Sequence, residues 1–368
     1  MTVNSTIVLP SGVVLKNRLL FAPISTLDSD ITGRASQGEL AFFAERTGGV
    51  GGIVVASAYV SLVGKAYEHG LSVSHKSHIS HLSQLAKIIQ KNGTKAFLQI
   101  YHGGAMTHFV RQPQYFCVSQ ASANLGNVAY TELGEKEIEQ IVLDYEKGIE
   151  RSILAGFDGV EIHASNSYLP QQFLMSSWNQ RTDRWGGVLN NRLRFLTEII
   201  QRGLKVIDRL AKKPFALGVR LSLEDNTSSV VSVRQQSFRE SLLIIQALND
   251  YPLDYIHVTS HDILQTVMVE NHPYQVLRLL KVMSPKVPLI GCGNLLQPDD
   301  IESALENCQL VSACRPFVLL PKWADQIIQG QEVQLPVLNM SGSDRQLLRI
   351  PRRLWKSVKE STDWYLYR

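Results

Sequence analysis

The strongest constraint on this chain is a rhythm. Eight short apolar runs recur along it, separated by stretches whose apolar residues return every three or four positions. The runs are Leu19–Ala22, Gly52–Ser57, Lys95–Ile100, Gly159–His163, Phe215–Leu221, Tyr255–Thr259, Val287–Ile290 and Leu310–Ala313. They are rich in Val and Ile and alternate little with polar residues, as strands covered on both faces do. Helical spacing follows in Ile79/Leu82/Leu85/Ala86/Ile89, in Ile138/Ile141/Val142/Tyr145/Ile149 and in Leu193/Leu196/Ile200/Leu204/Ile207/Leu210. Shorter helices are marked by Leu242/Ile245/Leu248, by Leu277/Leu280/Val282 and by Ile301/Ala304/Leu305, the last with Asp299 at its expected cap. Eight such alternations point to a closed (β/α)8 TIM barrel, with a doubly wound open sheet as the alternative. The glycine cluster Gly48–Gly52 precedes its strand instead of following it, so it reads as a loop and not as a dinucleotide fingerprint.

The 368 residues, 44% of them hydrophobic, suffice for one large domain. Residues 1–333 are assigned to the barrel, and 334–368 to a C-terminal extension that Trp355, Trp364 and Tyr365 would pack onto it, with a mobile tail as the alternative. The net charge of +4 is spread without a basic tail, which argues against a nucleic-acid partner. No basic segment followed by an apolar run opens the chain, and no run reaches the roughly 18 apolar residues of a membrane span. The four cysteines, Cys117, Cys292, Cys308 and Cys314, have no C-x-x-C spacing, so neither a metal cluster nor a disulfide framework is expected. These features together lead to the expectation of a cytoplasmic protein acting on small molecules, with self-association left open.

Two long excursions break the rhythm, from His102 to about Tyr130 and from Ser165 to Asn190. Both leave the C-terminal ends of strands, where barrel enzymes build their sites. The chemistry-bearing residues gather at the same ends. His163, Asn166 and Tyr168 follow the fourth strand; the first two could donate to one oxygen, and the third offers a phenolic proton. A structural histidine is the competing reading. Gln99 interrupts the third strand with an amide suited to the edge of a heterocycle. Arg220, inside the fifth, needs either a structural carboxylate or an electron-rich cofactor atom. Gly291–Asn294 and Cys314–Arg315 follow strands seven and eight, where barrels bind phosphate; a solvated arginine is the alternative for Arg315.

With those residues in view, the sequence resembles the old yellow enzyme family of FMN-dependent oxidoreductases. The resemblance rests on Glu161-Ile162-His163, Asn166, Tyr168, Arg181-Thr182-Asp183, Trp185-Gly186-Gly187 and Asn191-Arg192. It is supported by Asn17-Arg18, Ala22-Pro23, Gln99, Arg220, Gly291–Asn294 and Arg315-Pro316-Phe317, over roughly residues 5–330. It implies FMN at the strand C-termini and NADH or NADPH as reductant. Pro23, Ile24 and Ala58 would line the isoalloxazine, and Ser25 would stand beside its O4 atom. Gln99 and Arg220 would address its pyrimidine edge; Gly291, Gly293, Asn294, Cys314 and Arg315 would surround the phosphate. His163 and Asn166 would hold a substrate oxygen while Tyr168 protonates the α-carbon of an electron-poor alkene. Several positions depart from the family pattern: Ser167 and Cys314, where glycine is usual, Ser25, where threonine or cysteine is common, and Asn294-Leu295 after Gly293. A flavin, quinone or nitro reductase on the same scaffold and a catalytically impaired flavin-binding protein remain alternatives. A phosphate-binding lyase or aldolase fits less well, because Lys95 opens its strand and Glu161 lies mid-strand.

Overall fold

A computed structural model describes residues 2–122, 127–224, 231–269 and 272–365. Eight parallel strands close into a barrel: β1 (Leu19–Phe21), β2 (Gly52–Tyr59), β3 (Lys95–Tyr101), β4 (Gly159–Ala164), β5 (Ala216–Ser222), β6 (Tyr255–Thr259), β7 (Leu289–Cys292) and β8 (Leu310–Ala313). Each pairs with its neighbour in sequence, and β8 returns to β1 through Val311 opposite Leu19. The helices following β1 to β7 are α1 (Gln37–Ala44), α2 (Ile79–Ile89), α3 (Glu135–Leu154), α4 (Leu189–Leu210), α5 (Val231–Leu248), α6 (Val276–Met283) and α7 (Pro298–Leu305). They bury faces read from the periodicity, Leu82, Leu85, Ala86 and Ile89 in α2 for example, but Val282 of α6 turns to solvent while Val276, Leu277 and Leu280 are buried. The open doubly wound alternative is thereby excluded.

Two local expectations shift. The seventh strand begins at Leu289 instead of Val287. Pro288 has no N–H for the ladder, and the Val287 N–H is taken by the Asn249 side chain. α7 starts earlier than expected, with Gln297 as its N-cap and Pro298 in the first turn. Asp299 therefore lies inside that turn, and it is the Asp300 carboxylate that accepts from the Leu296 and Gln297 N–H groups.

The barrel interior is layered. An N-terminal hairpin, Ile7–Val8 with Val14–Leu15, closes the bottom. Its Leu9, Val13 and Leu15 pack against the inward-facing Leu20, Val54, Phe97, Tyr255, Ile290 and Leu310. Gly218 is required in this layer, because a Cβ there would stand 2.1 Å from the Tyr255 ring. Above it the interior turns polar, and above that it opens into a cavity.

The two excursions are tied to each other by the motif that looked most characteristic in the sequence. Arg181 donates to both Asp183 carboxylate oxygens and to the carbonyls of Val118 and Leu133. Asn179 holds the carbonyls of Phe173 and Trp185, and Arg192 reaches the Leu174 and Gly187 carbonyls and Glu240. R-T-D, W-G-G and N-R are thus loop clamps. Part of the first excursion (123–126) and the last three residues of the tail (366–368) lie outside the described residues. The tail forms helices Gly342–Leu347, Arg352–Glu360 and Thr362–Tyr365, and buries Leu354, Trp355, Val358 and Tyr365.

Candidate active site

A cavity of about 670 Å³ opens at the C-terminal ends of the strands. It collects Pro23, Ile24, Ser25, Gln99, His163, Asn166, Tyr168, Arg220, Gly293, Asn294, Cys314 and Arg315 from positions spread over the chain. Two expected members are elsewhere. Ala58 is fully buried in the outer core, and the wall is formed by Ala56 and Ser57. Strict alternation from Val54 would turn Ala58 inward, but an irregularity between Val55 and Ala58 shifts the register by one. Gly291 faces Leu277, Cys308 and Ile263, so Cys292 takes its place at the cavity.

The floor is a line of hydrogen bonds across the barrel. Ser57 donates to Gln99 Oε1 at 2.6 Å, and Gln99 Nε2 donates to Glu161 Oε1 at 2.7 Å. Glu161 Oε2 lies 2.8 Å from His257 Nδ1, and His257 Nε2 lies 2.8 Å from Ser312 Oγ. Burial alone would raise the Glu161 carboxyl, but His257 and then Arg220 outweigh it, and its pKa falls. Burial likewise opposes charge on His257, yet Glu161 outweighs it, and that pKa rises. The two lie at ion-pairing distance, and each shift favours the charged form. The sequence reading passed over Glu161 as mid-strand and did not single out His257 or Ser312. Their signal was present as polar residues inside otherwise apolar strands.

Arg220 reaches up from this floor. Its Nε is buried with no hydrogen-bond partner, and its Nη2 lies 3.9 Å from Cys292 Sγ. Of the two readings offered for this arginine, the carboxylate partner is not what the structure shows: no carboxylate among the described residues pairs with it within 4.0 Å. An unsatisfied donor in a cavity is what an electron-rich ligand edge requires.

The turn after β4 presents the reactive groups. Asn166 (φ 54°) and Ser167 (φ 59°) are both left-handed, a conformation costing an L-residue about 1–2 kcal/mol. The turn is held by Asn166 N–H to Ser222 Oγ, Ser167 N–H to Gln171 Oε1, and Gln172 Nε2 to the Ser167 carbonyl. The expected glycine position is therefore a real backbone requirement that Ser167 meets under strain. It places the Tyr168 ring 4.7 Å from His163, edge to face. Burial, then Arg220 and His257, hold the His163 pKa well below the usual imidazole value. Its Nδ1 is 2.8 Å from Ser165 Oγ, so with the serine donating, Nε2 carries the proton. Burial, then Tyr67 and Tyr101, push the Tyr168 hydroxyl well above the usual phenol value. It donates to Tyr67 Oη at 2.9 Å, a neighbour the sequence reading missed.

At the other end, Gly293 (φ 149°) passes so close to Ser260 that a Cβ would lie 2.3 Å from the Ser260 carbonyl oxygen. Cys314 has φ −115°, which any residue adopts, so replacing glycine there carries no left-handed penalty. Arg315 donates to Asn294 Oδ1 and to the Trp364 carbonyl, both at 3.0 Å, and lies 5.2 Å from the Trp364 ring. Leu354, Ser357, Trp364 and Tyr365 of the tail share the cavity wall.

Residues 8–334 match the model of the NADH:flavin oxidoreductase / NADH oxidase family. The chain belongs to that family. It is 33% identical over 362 residues, 97% of this chain and 96% of the other, to the probable NADH-dependent flavin oxidoreductase YqiG of Bacillus subtilis. It is 32% identical to the NADH:acrylate oxidoreductase of Vibrio harveyi across 95% of this chain, but it spans only 35% of that longer protein. The fold superimposes on morphinone reductase in complex with tetrahydroNAD with a TM-score of 0.77, 22% identity and 94% coverage of both chains. The chain is an NAD(P)H-dependent FMN oxidoreductase of the old-yellow-enzyme type. Among the described residues no helix is long and apolar enough to cross a membrane.

Proposed function

We propose that the cavity binds FMN and that the protein reduces electron-poor alkenes, α,β-unsaturated carbonyl compounds foremost. The residues present fit the cofactor: Arg220 offers an unsatisfied donor, and Gly293 leaves open a backbone cradle that a Cβ would fill. Gln99, Ser25 and Arg220 would hold the ring system, and Gly293, Asn294, Cys314 and Arg315 its phosphate. When bound, FMN supplies the two-electron relay between NADH or NADPH and the alkene.

The observation that carries the reading is the pairing of His163 with Tyr168. The neutral imidazole is a donor that does not lose its proton to solvent as pH varies, and Asn166 stands two residues before Tyr168 on the same cavity wall. Donors of this kind favour the state in which the carbonyl oxygen gains negative charge, by about 2–4 kcal/mol each. Tyr168, kept protonated by its buried surroundings, delivers its proton to the α-carbon. That proton is donated to Tyr67 Oη in this structure, so the hydroxyl turns from Tyr67 to the α-carbon before transfer.

The test is the visible spectrum of the FMN-loaded protein under anaerobic conditions, first with NADH or NADPH and then with cyclohexenone. Bleaching followed by recovery of the oxidised bands is expected. Tyr168→Phe should bleach at the parental rate and recover at least tenfold more slowly. Recovery unaffected by that change would assign the proton to another group, and no recovery in the parent would remove enones from the substrate class.

A further inference from the structure

We propose that Cys292 and Arg220 form an ion pair on the cavity floor, and that this pair sets how much of the arginine's positive charge a bound flavin meets. The inference rests on the FMN reading above and concerns two residues of this chain. Arg220 is 7% exposed, has no carboxylate partner within 4.0 Å among the described residues, and turns its Nη2 towards Cys292 Sγ at 3.9 Å. Its Nε remains unsatisfied, so the guanidinium is poised between the sulfur and whatever enters the cavity. Cys292 ends β7 opposite Thr259 of β6 and Ser312 of β8, and it lines the cavity itself.

The groups facing the sulfur come from every neighbouring strand. Arg220 arrives from β5, His257 from β6, Ser312 from β8 and Cys314 from the residue just after it, with Glu161 of β4 acting through His257. Burial alone would raise the thiol, but His257 and then Arg220 outweigh it and bring it to about 6. The other three cysteines are pushed up by burial, Cys117 to about 11 and Cys308 and Cys314 to about 12. A thiolate detected near neutral pH is therefore assignable to one residue. A thiolate beside the guanidinium offsets part of its charge. Removing it leaves the arginine uncompensated, and a flavin gaining negative charge on reduction is then stabilised.

The experiment has two readouts on the full chain. Without cofactor, ultraviolet thiolate absorbance is followed against pH in the parent, Cys292→Ser and Arg220→Met. One thiolate forming around pH 6 is expected in the parent, lost in Cys292→Ser and formed only at higher pH in Arg220→Met, and an Arg220→Met curve that matches the parent overturns the pair. No thiolate before about pH 8.5, the value of a free cysteine, overturns the pair. With FMN bound, the midpoint potential of Cys292→Ser should shift to favour the reduced cofactor about tenfold, about 30 mV for two electrons. An unchanged potential overturns the tuning role. If no form binds FMN, the cofactor reading fails and the tuning role falls with it, while the thiolate titration still decides whether the ion pair exists.

Discussion

Replacing Glu161 by glutamine isolates the charge of the buried pair from its hydrogen bonds. The amide is isosteric: its oxygen can still accept from Gln99, and its nitrogen can donate to a neutral His257 Nδ1 while Nε2–H donates to Ser312. What is lost is the negative charge that keeps the His257 pKa raised. In the parent, the folded pKa of His257 lies above its unfolded value. Its stabilising contribution is thus fully present below the unfolded pKa and is lost as pH rises through the folded one. In Glu161→Gln, burial wins and His257 stays neutral in the fold, so the variant loses stability on acidification. From pH 8 to pH 5 that loss is about 1.4 kcal/mol per unit below the unfolded pKa of about 6.5, or about 2 kcal/mol. For a chain of this length the unfolding entropy is about 0.8 kcal/mol per degree, so the gap between parent and variant Tm should widen by about 2.5 °C or more. Differential scanning fluorimetry across that range measures it with Cys292→Ser placed in both proteins, so that the thiol coupled to His257 does not titrate in the difference. Parallel curves for parent and variant would refute the charged pair and mean that His257 is neutral in both.

Gly293→Ala should weaken FMN binding at least tenfold and lower Tm, since the new Cβ meets the Ser260 carbonyl at 2.3 Å; quenching of FMN fluorescence checks the affinity. Arg181→Lys keeps the charge but cannot hold Asp183 and two loop carbonyls together, so a loss of about 2–3 kcal/mol and faster proteolysis of the clamped excursions are expected. If proteolysis is unchanged, the motif does not clamp the loops. Loss of Tyr168 should slow only the oxidative step, and loss of Cys292 should raise the flavin potential, as set out above.

Sequence alone determined the order of strands and helices, because burial on both faces of a strand and on one face of a helix is written in local spacing. It also gave the positions of His163, Asn166, Tyr168 and Arg220, which lie at or near strand ends and within a local motif. The tertiary structure decided what spacing cannot carry. Glu161 and His257 are 96 residues apart, and His257 and Ser312 are 55 apart; only barrel register makes them neighbours. The wall position expected at Ala58 moved to Ala56 and Ser57 because a register irregularity inside β2 breaks period-two alternation, and no local pattern announces it. The seventh strand slid by two residues because its ladder depends on which N–H groups are already committed, here to Asn249 of another element. The contact of Trp364 with Arg315 joins residues 49 apart, through packing of a tail whose own periodicity says nothing about where it lands. Local physics names the elements, and the closure of the barrel decides which of their polar side chains meet.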